Sequence, residues 1–228
     1  MLDFAGTVAA AGLMVLITNT LTMFLDISRS AKLVLSAIMG LWIGLCAAAA
    51  AAGIIETSQP FPLIGIFIAL PLAAAALATA WPAARKAMLS LPMQVMIGLN
   101  VGRVLAVFFL LLAAEGRLAG PFPYFAAGGD IITAVVALPM MRLAAMPSGP
   151  RTSAIAAWNL FGIADLVLAI TLGVTSAEGS PLQVFHTAPG SEAMQHLPWS
   201  FVPTVLVPLW LILHAIIWVR LRELRQAA

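Results

Sequence analysis

Charge is what this sequence has least of. Only 9% of its 228 residues are Asp, Glu, Lys or Arg, against roughly 25% in an ordinary soluble domain, and the mean hydropathy is +1.06. Water cannot solvate that much apolar side chain and lipid can, so the composition describes a polytopic membrane protein. Cysteine is limited to Cys46, which excludes an intrachain disulfide and a thiolate metal cluster. Within the run Leu45-Cys46-Ala47 it reads as a small packed hydrophobe. Lysine is limited to Lys32 and Lys86. The isoelectric point of 9.2 reflects a net charge of only +2, with the basic residues dispersed, so there is no patch for nucleic acid. The start, Met1-Leu2-Asp3-Phe4, lacks a basic n-region and leads into an apolar stretch longer than a signal-peptide core. A retained first helix is expected.

What the sequence has in abundance is apolar runs of spanning length. Seven can be marked, at 5–25, 32–54, 62–80, 93–114, 122–142, 153–174 and 201–220, each near the roughly 20 residues that cross the hydrocarbon. Pro62, Pro92 and Pro121 stand at the start of three of them, where a missing N–H is least costly. Basic residues fall in alternate loops: Arg29 and Lys32, then Arg85 and Lys86, then Arg142 and Arg151, then Arg220, Arg222 and Arg225 after the last span. The second and sixth loops have none, and the fourth has only Arg117. The expected architecture is therefore a single-domain, all-α, seven-transmembrane-helix bundle over 1–228, with an outside N-terminus and a cytoplasmic C-terminus. A bacterial cytoplasmic membrane is the expected location.

Small residues four apart, Gly40/Gly44 and Gly98/Gly102, are read as packing within the chain. The first three spans and the last three show no convincing repeat. The sixth loop, 175–200, is the one long loop. It contains Glu178, His186, Glu192 and His196, but the wide separation of its histidines matches no compact metal-ligand motif. Such a loop is a lid, a docking surface or a mobile segment. Trp199 and Trp81 are expected to anchor the bundle at the two membrane interfaces.

Four ionisable groups remain inside the apolar runs: Arg103, Asp130, Asp165 and His214. A charge at mid-helix costs about 2.5–3.5 kcal/mol on insertion scales. Asn100 and Arg103 share a face of span four. Gly128-Gly129 precede Asp130 in span five, and paired glycines let another backbone approach and loosen the helix. In span six, Asp165 shares a face with Trp158, while Asn159 is rotated away, so the two need not address the same neighbour. Trp210, His214 and Trp218 form one stripe of span seven, and Pro208 should kink that helix and free a carbonyl. Arg103 with one aspartate would satisfy a packing role completely. The second aspartate and His214 are surplus to that role, and surplus ionisable groups in a membrane line proton paths or polar cavities.

Other chemistries find no residues. A covalent retinal pigment needs a lysine in a span, and both lysines lie in loops. Seven-span zinc hydrolases of the ceramidase and adiponectin-receptor type need several intramembrane histidines, and His214 stands alone. A bis-His haem fails likewise, though one axial His214 would leave room for a cofactor or intramembrane-enzyme role. No Gly-x-Ser-x-Gly or phosphate loop occurs. The expected site is Asn100, Arg103, Asp130, Asn159, Asp165 and His214, serving transport or sensing of a small polar or anionic molecule, possible proton linkage included. Non-catalytic assembly with a larger complex, a protein partner or a second copy is the alternative.

Overall fold

A computed structural model describes residues 1–56, 63–146 and 149–226, and every regular element among them is helical. Helices α1 (Leu2–Phe24) and α2 (Arg29–Ala51) are joined by a tight turn. Ser28 closes it, its hydroxyl accepting from Ala31 N at 3.2 Å and so satisfying one orphan donor of the first turn of α2. Helices α3 (Leu63–Ala78) and α4 (Pro82–Ser90) follow, meeting at 109°. Pro62, expected to open the third span, lies outside the described residues. The sequence predicts a loop over 81–92, between the third and fourth apolar runs; α4 occupies most of it, with Pro82 in its first turn and no buried residue. At nine residues it is far shorter than the apolar runs that mark the spans.

The next span is a composite of α5 (Met93–Leu99), a 3-10 stretch over Asn100–Ala106, and α6 (Val107–Ala114). Helices α7 (Phe122–Ala144) and α8 (Gly149–Ser176) form the most extensively packed pair. A π-turn over Val202–Leu206 then leads into α9 (Val207–Gln226). Among the described residues six helical segments are long and apolar enough to cross a membrane: α1, α2, the α5–α6 composite, α7, α8, and the π-turn with α9. The 16 residues of α3 fall short at 1.5 Å each against a core of about 30 Å. Pro92 and Pro121 sit one position earlier than expected, as the residues preceding α5 and α7.

The outward faces carry large apolar side chains such as Leu33, Leu41, Leu77, Val135 and Leu160, a surface that suits lipid and would be a liability in water. The main core joins α5, α8 and α9 through Met96, Ile97, Leu166, Leu213 and Ile217. A second cluster, nearer the long loop, contains Phe109, Phe122, Met194 and Trp199.

That loop packs as a cap. Its short 3-10 turn, Glu192–Gln195, buries Ala193, Met194 and Gln195. Trp199 is not an interface anchor: it is 4% exposed, its ring fills the space that a side chain at Gly6 would need, and its Nε1 donates to Asp3 Oδ1 at 2.8 Å. Asp3 also pairs with Arg117 at 2.9 Å, so the start of α1, the cap and the α6–α7 turn are tied together. Trp81 is exposed, as an interface residue would be. The Gly-xxx-Gly pairs diverge. Gly102 lies hard against Leu13 of α1 and Gly98 against Met141 of α7, whereas Gly40 and Gly44 have nothing within 4 Å and face outward, contrary to the expected packing role.

Candidate functional site

The centre of the site is built by an exception to α-helical geometry. In the 3-10 stretch, side chains three apart eclipse one another. Asn100, Arg103 and Ala106 therefore line up on one face, and all three are buried. That face meets α7, and Arg103 lies opposite Asp130 of that helix.

Every nitrogen of the Arg103 guanidinium is engaged. Nε donates to Asp130 Oδ1, Nη2 to Asp165 Oδ2, and Nη1 to Gly162 O at 3.3 Å and to His214 Nε2 at 3.2 Å. Because guanidinium can only donate, His214 Nε2 accepts. The imidazole proton then sits on Nδ1 and is donated to Asn159 Oδ1 at 2.8 Å, while the Asn159 amide donates to His214 O at 3.2 Å. His214 is thus a neutral ring with both nitrogens committed, and neither is open to the axial-ligand role that the sequence left available.

Two glycines make this convergence possible. A Cβ on Gly129 would overlap the Asp165 carboxylate, and one on Gly162 would overlap the His214 ring. Gly129 of the Gly128-Gly129 pair therefore lets α8 come close, but the carboxylate received is Asp165, not the adjacent Asp130. A Cβ on Gly128 would meet no neighbouring element within 4 Å among the described residues. Tryptophans close the sides. Trp210 lies with its ring 5.9 Å from Arg103 Cζ, a cation–π distance, and Trp158 is tilted against His214 at 5.4 Å. Each is held by its indole N–H, Trp158 to Thr133 O at 3.0 Å and Trp210 to Leu99 O at 3.3 Å.

The sequence-selected residues are therefore brought together, with one partial exception. Asn159 and Asp165, which the helix register allows to address different neighbours, do so: Asn159 contacts His214 and Asp165 contacts Arg103, and the Arg103–His214 contact joins them into one chain. Asn100 stands apart: its amide donates to Met96 O at 3.0 Å, and among the described residues its Oδ1 has no partner. Pro208 lacks the N–H that would reach back to Thr204 O. That carbonyl accepts Trp42 Nε1 of α2 at 3.1 Å, so it braces α2 and takes no part in the charged cluster.

A family model, described as a domain of unknown function (DUF8737), matches residues 60–222. The chain belongs to this family. No curated protein and no solved structure matches it. The DUF8737 match contains all six candidate residues, and begins after α1 and α2.

Beside the DUF8737 charge cluster, towards the cap, is a partly enclosed cavity of about 80 Å³. Asp130 stands at its border, Phe109, Phe122 and Val207 form its walls, and Ser191 and Gln195 come from the cap. This space was not legible in the sequence, because no residue pattern reports the gap between α3 and α8.

Proposed function

We propose that this DUF8737 member is a single membrane domain with seven crossings, the bent α3–α4 pair supplying the seventh. The N-terminus lies outside and the C-terminus in the cytoplasm, as the alternation of basic loops favours. It transports or senses a small polar solute, and solute binding is linked to a proton exchanged at the Asp130–Arg103–Asp165 triad. The observation that carries the reading is one buried guanidinium held between two buried carboxylates. With His214 neutral, full ionisation of both aspartates leaves one uncompensated negative charge in a site without bulk water. An unbalanced buried charge is far more costly than a protonated or cation-paired carboxylate. A proton that balances the site can be displaced by a solute that does the same. Four of the five Arg103 N–H groups already donate within the site, so the surplus carboxylate charge favours a cationic or dipolar solute over the anionic one that Arg103 alone would suggest.

The test is proton release from the purified protein in weakly buffered solution, followed with a pH dye while amines, amino acids and carboxylic acids are added in turn. The reading predicts that one class displaces protons from the wild-type protein and not from a folded Asp130→Asn variant. If no class changes the pH, proton-linked solute binding is wrong.

A further inference from the structure

The cavity beside the triad combines hydrocarbon walls with a single carboxylate. Asp130 receives Arg103 Nε on Oδ1, and among the described residues it has no other hydrogen-bond partner. Ile64 and Ile68 of α3 border the space on one side, and Ala169 and Ile170 of α8 on the other. Helix α3 packs on α9 and the π-turn, while α8 packs on α7 and α9.

We propose that this cavity binds a small alkylammonium ion, with the ammonium group at Asp130 and the alkyl chain against the α3 and α8 walls. The assignment rests on the surplus negative charge of the triad invoked above. Three alternatives fit the space less well. Calcium and magnesium take six or more oxygen ligands and zinc about four N, S or O ligands. The walls are mostly hydrocarbon, and no group of three or more His, Cys, Asp or Glu side chains is placed to hold a metal among the described residues. An anion would meet the surplus carboxylate charge, with four of the five Arg103 N–H groups already donated to protein acceptors. A lipid tail would leave the second Asp130 oxygen, which Arg103 does not reach, facing hydrocarbon. Size narrows the choice further. The volume of about 80 Å³ is about half that of the engineered cavity of about 150 Å³ that admits benzene in another protein. An ammonium group and its first carbons fit, and a longer chain continues between α3 and α8.

Calorimetry on the full chain in phosphatidylcholine nanodiscs tests this with n-butylammonium, n-butanol and butyrate as probes. Saturable butylammonium binding, with butanol and butyrate weaker by about tenfold or more, is the expected result. Asp130→Asn should abolish the preference for butylammonium over butanol. Ala169→Phe, which fills the cavity without touching the triad, should abolish binding while the thermal unfolding profile stays folded. Absence of saturable butylammonium binding, equal binding of butanol or butyrate, or unchanged binding in Ala169→Phe would each overturn the assignment. Infrared detection of a protonated aspartate separates the two levels. If that signal is present and butylammonium fails, only the cavity assignment falls; if both are absent, the charge reading falls with it.

Discussion

At the scale of single residues the triad makes an uneven demand on its members. Arg103 is the one cation for two carboxylates, so removing it isolates both, whereas removing one aspartate leaves a matched pair. Arg103→Gln should therefore be the most damaging single change, in the range of about 3–5 kcal/mol for breaking a buried pair. Asp130→Asn and Asp165→Asn should each cost less. Their combination, which strands Arg103, should exceed the sum of the two by about 0.5–3 kcal/mol, as for other residues in contact. Unfolding of the single and double variants in detergent checks this, and strict additivity would mean that the carboxylates act independently. The glycines offer a sharper contrast. Gly129→Ala places a methyl group in the Asp165 carboxylate and should destabilise by about 1–3 kcal/mol. Gly128→Ala meets open space and should stabilise the helix by about 0.5–1 kcal/mol. The charged residues were legible in the sequence because each interrupts an apolar run. The role of Gly162 was not, since a glycine in a membrane helix has many uses and only the neighbouring His214 ring reveals this one.

At the scale of elements, the irregular segments do the positioning. The 3-10 stretch aligns Asn100 with Arg103, a register that an α-helix would rotate by about 60°. The cap is positioned by Trp199, buried between Gly6 and Phe108. Trp199→Ala should cost about 3–5 kcal/mol, as for other buried large aromatics. It should also speed amide exchange in the first turns of α1, whose span is only 28% buried and is tied there through Asp3. Trp81→Ala, at an exposed ring, should leave both measurements close to wild type. Equal responses in the two variants would contradict the buried role of Trp199. Apolar length and turn residues located most of the spans to within a few residues. They missed α4, whose nine residues fall far short of a span, and they misplaced Trp199, because an aromatic beside a loop has the same sequence signature at an interface and in a core.

At the scale of the whole molecule, composition pointed to a helical membrane bundle, and the structure is consistent with one. Among the described residues it is helical throughout its regular elements, with six segments long and apolar enough to cross a membrane. Composition is silent on which helices touch, and so on whether the buried charges form one site or several. Packing of α7 and α8 against the 3-10 stretch and α9 supplies that convergence. The proposed orientation can be checked in intact cells with an impermeant thiol reagent, because the native Cys46 is buried. Glu178→Cys should label from outside and Arg225→Cys only after permeabilisation; the reverse pattern would invert the topology. The central claim, that the triad holds one exchangeable proton in excess of its ion pair, is tested most directly by pH-difference infrared spectroscopy of the reconstituted protein. The account predicts a protonated-carboxyl band in the wild type that exchanges with deuterium and disappears in both Asp130→Asn and Asp165→Asn. A wild-type spectrum without that band, or a band unchanged in both variants, would contradict it.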